Sequence, residues 1–309
     1  MSMLTLARLL RIPNVFTAFA DIALGILIAL SMAPSASDPS FTVRAFLLLA
    51  AGGCLYCAGM VLNDWFDVET DRRERGFRPL PSGKISAGFA LRLGLTLLAV
   101  GFGCALGSDT VGERANYPAT KLAVLLISSI VLYNGVLKSS DYGPIAMGAC
   151  RFFNVLMGLT LCDAMLPTVM RVHLAAAVGT YIMGVTLLAK NEVTDTLAEK
   201  PGEGAKRAVV PMLLSFLLAL AVPARLPEAS TTPLYPYLLI VLAILIGSAL
   251  AKAVTLPTAE VTQSAVRTCI FGLVGLDAVL ATAFYGPAGL LILLLLVPAI
   301  LLGRKVYST

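Results

Sequence analysis

Asn63-Asp64-x-x-Asp67-x-x-x-Asp71-Arg72 returns later in the chain as Asn191-Glu192-x-x-Asp195-x-x-x-Glu199-Lys200, five polar positions in the same register. Each copy sets carboxylates at i, i+3 and i+7, which share one face of an α-helix. Carboxylate oxygens suit hard cations. Mg2+ keeps near-octahedral geometry and several waters, so its usual partners are one or two carboxylates plus the oxygens of a bound phosphate. Two such stripes facing each other across roughly 5 to 10 Å would hold Mg2+ and, through it, a diphosphate. The candidate metal ligands are Asp64, Asp67 and Asp71 with Glu192, Asp195 and Glu199. Asp67 and Asp195 sit at the centre of each stripe and are the candidate catalytic pair. Asn63 and Asn191 can orient a carboxylate or a metal-bound water. Arg72, Arg78, Lys84, Lys138, Lys190, Lys200 and Lys206 can neutralise phosphate oxygens as charge grows on a departing diphosphate.

A solvated helix face laced with i,i+4 ion pairs worth about 0.2 to 0.5 kcal/mol each would give such a stripe once. Two copies in one register favour the metal.

The elements that must position these groups are membrane helices. Hydrophobic residues make up 58% of the 309, and charged ones 13%, about half the charge of ordinary soluble domains. Charge-free stretches run Ala45 to Leu62, Leu122 to Leu137, Leu174 to Ala189, Ala208 to Ala224, Leu234 to Ala251 and Pro287 to Gly303. Each approaches the ~20 residues that cross hydrocarbon. Four more are interrupted by one or two polar groups: Ile12 to Met32 (Asp21), Ala87 to Gly107 (Arg92), Tyr142 to Leu161 (Arg151) and Gln263 to Gly286 (Arg267, Asp277). The expectation is an all-α bundle of ten transmembrane helices, or nine, around a central cavity, with the motifs in the two longest connections, about Asn63 to Ser86 and Lys190 to Arg207. No compositional break suggests a second domain, so residues 1–309 read as one.

With ten crossings, Arg44, Arg114, Lys121, Arg171 and Arg225 fall on one side, and sixteen Lys and Arg fall with the termini on the other. The positive-inside rule then puts both termini and both motifs on the cytoplasmic face. The net charge of +5 belongs to this asymmetry. There is no basic soluble domain for nucleic acid. The first apolar run exceeds the ~7 to 15 residues of a signal-peptide core and reads as a retained anchor. All six cysteines lie in or beside apolar segments and read as small buried hydrophobes. His173, the one histidine, falls opposite the motifs.

Asn14, Thr17 and Asp21 share a helical face, as do Arg151, Asn154 and Gly158. A charge at membrane depth costs about 2.5 to 3.5 kcal/mol on insertion scales, so it turns inward and finds a partner. Arg151 pairs with Asp21 or with Asp277. Such a pair either fixes packing, or Asp21 or Arg151 lines an acceptor pocket where a carboxylate takes the acceptor's proton.

Asn63-Asp64-x-x-Asp67-x-x-x-Asp71 followed by Arg78-Pro-Leu-Pro-Ser-Gly83 resembles the first signature of the UbiA superfamily of intramembrane prenyltransferases, and Glu192-x-x-Asp195-x-x-x-Glu199 is similar to the second. Glu192 and Glu199 stand where aspartate is commoner. Tyr133-x-x-x-x-Lys138 resembles the tyrosine and lysine that end the fourth helix in that family. The resemblance implies Mg2+-dependent ionisation of a polyprenyl diphosphate and transfer of its prenyl group to a lipid-soluble or aromatic acceptor. Leu10 to Asp21 and Gly143 to Asn154 look like the EboC-like branch, which implies a bacterial inner membrane and secondary metabolism. A CDP-alcohol phosphatidyltransferase would start its motif Asp-Gly-x-x-Ala-Arg, and no such run occurs. The alternative from another class is a transporter or flippase of amphipathic metabolites whose acidic motifs bind ions without chemistry.

Overall fold

Lipid offers no hydrogen-bond partner to an exposed peptide group, so a chain this apolar must satisfy its backbone within helices. The computed structural model describes residues 2–32, 38–74, 76–190, 202–226 and 232–307, and every regular element among them is helical. In chain order they are α1 (Met3–Leu9), α2 (Ile12–Met32), α3 (Pro39–Phe66), α4 (Val68–Glu74), α5 (Ala87–Val111), α6 (Pro118–Leu132), α7 (Gly143–Gly158), α8 (Thr168–Lys190), α9 (Glu203–Leu220), α10 (Leu234–Thr255), α11 (Ala259–Tyr285) and α12 (Leu296–Tyr307). A π turn (Tyr133–Leu137) extends α6, and 3-10 turns extend α7 through Cys162 and precede α12 from Gly286 to Leu295. Side chains start the helices. Asp38, Ser86 and Thr258 accept from the backbone N–H of Ser40, Phe89 and Val261, and prolines occupy the first turns of α3, α6 and α7.

Eight helical stretches among the described residues are long and apolar enough to cross a membrane, against an expected nine or ten. Two local features account for the difference. α9 is eighteen residues long but carries Glu203, Lys206 and Arg207 near its start. Residues 259–306 form one unbroken helical stretch, yet the chain turns back inside it at Gly286, whose φ is +60°. Beyond that glycine, Gly289 lies against the backbone of Ala281 and Thr282, and Arg8 Nε donates to Val306 O at 2.8 Å. The end of α12 therefore returns beside α1.

Those contacts sort the chain into two ends. Arg11, Asp64, Lys138, Ser140 and Lys190 are linked at one end, and Gly202 joins them through α10, lying against Ala253, Val254 and Pro257. Arg44, Arg114, Asp163 and His173 lie at the other. His173 is buried, its Nε2 2.7 Å from Leu218 O, and packs α8 against α9.

Helices α2 and α7 approach until backbones touch. A Cβ on Gly25 would sit 2.3 Å from the carbonyl carbon of Gly158, and one on Gly158 would sit 2.9 Å from the Cα of Ile22. Between helices in lipid, where apolar burial supplies little drive, such small-residue contacts are a main source of association. This contact brings Asp21 of α2 against Arg151 and Asn154 of α7.

Gly25→Ala is expected to destabilise the protein by about 1 to 3 kcal/mol through overpacking, read as a lower thermal midpoint in detergent. Gly103→Ala, on α5 with no neighbouring atom within 4 Å of the new methyl, is expected to be neutral or slightly stabilising. Equal midpoints for the two variants would contradict the close approach.

Candidate active site

The first acidic motif straddles the end of α3 and does not ride one continuous helix, as its spacing alone suggests. Asn63 and Asp64 lie in the last turn of α3, Asp67 is the residue that caps it, and Asp71 belongs to α4. The backbone bond from Asp71 N to Asp67 O at 2.8 Å carries the chain across the break, so the carboxylates stay grouped. Each has a cation. Arg11 donates to Asp64 Oδ1 at 3.3 Å, Lys138 to Asp67 Oδ2, and Arg78 to Asp71 Oδ2 at 2.6 Å, with Arg78 also 3.8 Å from Asp64. Asp64 and Asp71 are 5% and 4% exposed. Burying them would cost several kcal/mol each without such partners.

Local structure explains why these cations arrive there. A small apolar cluster of Leu9, Val61, Leu80, Ile85 and Ala90 lies under the motif. It pins the run Pro79-Leu80-Pro81-Ser82-Gly83, whose turn is closed by Ser82 N to Arg78 O and Gly83 N to Leu80 O, both 3.0 Å, with Gly83 at φ +73°. Leu80 anchors the run, so Arg78 is held over Asp71. Arg11 sits between α1 and α2 in the left-handed region at φ 47°, where the chain bends and the side chain reaches across to Asp64 of α3. Lys138 N bonds Tyr133 O at 2.8 Å. In an α-helix two residues five apart would be about 140° apart around the axis. The wider π turn brings Tyr133 into the bundle and Lys138 to Asp67 together, and such π-bulges recur at functional sites.

Below the motif, a cavity of about 260 Å³ opens into the bundle. Arg11, Asn14, Tyr133 and Asn134 line its mouth, and Leu55, Leu126, Ile130, Ile182, Val185, Val266, Ile270 and Leu273 give it apolar walls. Asn134 Nδ2 donates to Ile130 O at 3.0 Å, and its Oδ1 accepts from Asn63 Nδ2 at 3.0 Å, which ties the motif to the cavity rim. Partway down lie Thr17, Tyr56, Arg151 and Asn154. Arg151 donates to Asp21 Oδ2 at 3.0 Å and to Thr17 Oγ1 at 2.6 Å, and its guanidinium stacks 5.3 Å from the centre of the Tyr56 ring. Asn154 Nδ2 donates to the same Asp21 oxygen at 2.7 Å and to Ala18 O at 3.1 Å.

The structure thus groups Asn14, Asn63, Asp64, Asp67, Asp71, Arg78, Tyr133, Lys138, Arg151 and Asn154 around one mouth and cavity. Asp21 does not line the cavity; it is fully buried behind Arg151, which takes its charge. Of the two acidic partners open to Arg151, it hydrogen-bonds Asp21. Arg72 turns away and pairs with the exposed Glu69 at 2.6 Å, because it follows Asp71 directly and so points about 100° around α4 from it. Lys84 is exposed on the loop, away from the carboxylates. Lys190, bonded to Ser140 O at 2.9 Å, and Lys206, exposed near the start of α9, lie at the motif end. Asn191, Glu192, Asp195, Glu199 and Lys200 lie outside the described residues. Arg11 and Asn134 are contributors that spacing did not single out. Arg11 counts in the sequence only as a loop charge, and Asn134 as one amide in an apolar run.

Among the described residues, no three acidic, histidine or cysteine side chains converge on a metal position. The donor set still fits Mg2+ in kind, since Asp64, Asp67 and Asp71 offer oxygen and this ion needs only one or two protein carboxylates when phosphate supplies the rest.

Comparison with known proteins agrees with this architecture. Digeranylgeranylglyceryl phosphate synthase of Sulfolobus acidocaldarius is 26% identical over 231 residues, covering 71% of this chain and 77% of the relative. A solved structure of a digeranylgeranylglyceryl phosphate synthase superposes with a TM-score of 0.64 at 21% identity, over 91% of this chain and 98% of the other. A UbiA homologue from Archaeoglobus fulgidus solved with GPP and Mg2+ superposes with a TM-score of 0.60 at 16% identity, over 89% of this chain and 99% of the other. At those identities the two structures speak for the fold. The model of the UbiA prenyltransferase family matches residues 22–271, most of the chain, and a membrane bundle with an acid-and-cation mouth over an apolar cavity is therefore a member of that family of prenyltransferases.

Proposed function

We propose that the chain transfers a prenyl group from a polyprenyl diphosphate to a small acceptor, lipid-soluble or aromatic, in a reaction that needs Mg2+. The observation that carries this reading is the pairing of three carboxylates with three cations at the mouth of an apolar cavity. Bound Mg2+ would neutralise negative charge on the departing diphosphate, held by Asp64, Asp67 and Asp71 and, from the second motif, by Glu192, Asp195 and Glu199.

The chain's own residues do the rest. Arg11, Arg78 and Lys138 already sit on the carboxylates, and with Mg2+ held by those carboxylates the three cations would bind diphosphate oxygens. Asn191, Lys190, Lys200 and Lys206 supply further donors from the second motif. The bond between the allylic carbon and the diphosphate oxygen breaks, its electron pair leaves with diphosphate, and the allylic cation is captured by the acceptor, which then gives up a proton that the released diphosphate takes. The apolar walls keep out water that would trap the cation first. The Tyr133 ring at the mouth can face that cation. The excess of Lys and Arg at the motif end supports a cytoplasm-facing mouth. Two related structures were solved with GPP or DMAPP and Mg2+, which supports the choice of donor and ion.

Asp67→Asn and Asp195→Asn are each expected to lower Mg2+-dependent release of diphosphate from geranyl diphosphate at least about a hundredfold, ~2.7 kcal/mol of transition-state stabilisation. The thermal midpoint of Asp67→Asn should stay within a few degrees of the parent, since a half-exposed motif residue carries little of the fold. Full Mg2+-dependent turnover in both variants would sink the assignment. Movement of unaltered substrate without diphosphate release would identify a carrier instead.

Binding of geranyl diphosphate with Mg2+, followed by titration calorimetry, is expected to weaken more than about tenfold in Lys138→Met, the size of one lost charged hydrogen bond. It should change less than about twofold in Arg72→Met and Lys84→Met, whose side chains point into solvent. Chelation of the metal should abolish turnover in all of them. Equal effects at Lys138 and Lys84 would mean that the observed pairing with Asp67 does not report on the site.

A further inference from the structure

The cavity wall holds one cation that the diphosphate chemistry does not use. Arg151 is eight residues below the first residue of α7, about 12 Å by helical rise, and Tyr56 beneath it is as far below Asp64 on α3. This level is one diphosphate length or more below the mouth. A guanidinium has five N–H donors in a rigid fork. Two of Arg151's go to Asp21 behind it and to Thr17 beside it on the cavity wall, and the side chain keeps 13% of its surface toward the cavity. The fork is thus fixed from behind and open in front.

Its charge is already matched. Asp21 faces it at 3.0 Å. Neither oxygen of Asp277 has a donor among the described residues, nor has Asp21 Oδ1. With Asp21 ionised, one carboxylate against one guanidinium leaves the pair neutral. An anion entering the cavity would meet oriented N–H groups but no surplus positive charge, and would lose its hydration in an apolar space. A neutral oxygen would gain the hydrogen bond without that cost.

We propose that Arg151 is the docking point for the acceptor of the prenyl-transfer reading above, and that it takes a neutral oxygen, a hydroxyl or a carbonyl, in preference to a carboxylate or phosphate. Asp21 acts as a positioning residue that holds the fork and cancels its charge. Asn154 supports Asp21, its amide nitrogen committed to two acceptors. The flat Tyr56 ring under the guanidinium forms part of the same wall.

The test uses the full chain in nanodiscs and three probes of one shape: 4-propylphenol, propylbenzene and 4-propylbenzoate, titrated calorimetrically with empty nanodiscs subtracted. The parent should bind the phenol at least about fivefold tighter than either other probe, the scale of one hydrogen bond. The paired change Asp21→Leu with Arg151→Met removes both charges together, which the fold tolerates better than an orphaned charge, and should erase the phenol's advantage over propylbenzene. Asp21→Asn leaves Arg151 unbalanced and should raise propylbenzoate to the phenol's affinity or above. Tightest binding of propylbenzoate to the parent, an undiminished phenol advantage in the double variant, or propylbenzoate unmoved by Asp21→Asn would each overturn the proposal. Diphosphate release from geranyl diphosphate is measured in the same nanodiscs. Its absence with the probe ranking intact would count against prenyl transfer while the docking point stands. Release with a flat ranking would remove the docking point alone.

Discussion

A carboxylate that stays ionised in an apolar helix bundle must find a positive charge, because the surrounding medium screens it so weakly that an unpaired ion is costly by several kcal/mol. Four of this chain's aspartates meet that demand in the same way. Asp64, Asp67 and Asp71 take Arg11, Lys138 and Arg78 at the mouth, and Asp21 takes Arg151 within the bundle. Each pair joins different elements: the bend between α1 and α2 to α3, the turn after α6 to the end of α3, the loop before α5 to α4, and α7 to α2. The arrangement of the cavity follows from these ties, since its rim and its middle are the places where they are made.

The two kinds of pair serve different ends. At the mouth the partners are part-exposed, with side-chain exposures of 21% to 33% on the cations, so they can exchange one partner for another when a metal and a polyanion arrive. Inside the bundle, Arg151 is locked by Asp21, Thr17 and the Tyr56 ring. An ion pair that can exchange suits a site for a highly charged leaving group. One that cannot suits a fixed contact for a neutral group.

Close backbone contact is what allows the inner pair to form. Gly25 and Gly158 let α2 and α7 approach more closely than any side chain would permit, and Gly148 and Gly179 do the same for α7 and α8, where a Cβ on Gly148 would lie 2.6 Å from Gly179 O. α7 is held between two neighbours at short range. That rigidity keeps Arg151 at one height on the cavity wall, which a binding contact needs if it is to select by chemistry.

Apolar content and the spacing of polar interruptions are one-dimensional properties, and they determined the membrane class, the helical segments and the position of the first acidic motif. The ten apolar stretches read from the chain recur as helical segments in the same order, because each needs only its own length and composition to be helical in lipid. Pairings across helices were beyond that reach. The sequence left Arg151 open to Asp21 or Asp277, and the packing of α2 on α7 decided for Asp21. It set Asp21 beside Asn14 and Thr17 on one stripe, but at the depth of Asp21 helix α7 lays Arg151 over the stripe, so Asn14 and Thr17 reach the cavity and Asp21 lies behind. It gave Arg72 and Arg78 equal standing; only the break at Asp67 and the turn at Gly83 send one to solvent and hold the other over Asp71. Residue types set what each group can do, and the distances that select among them arise when distant segments pack.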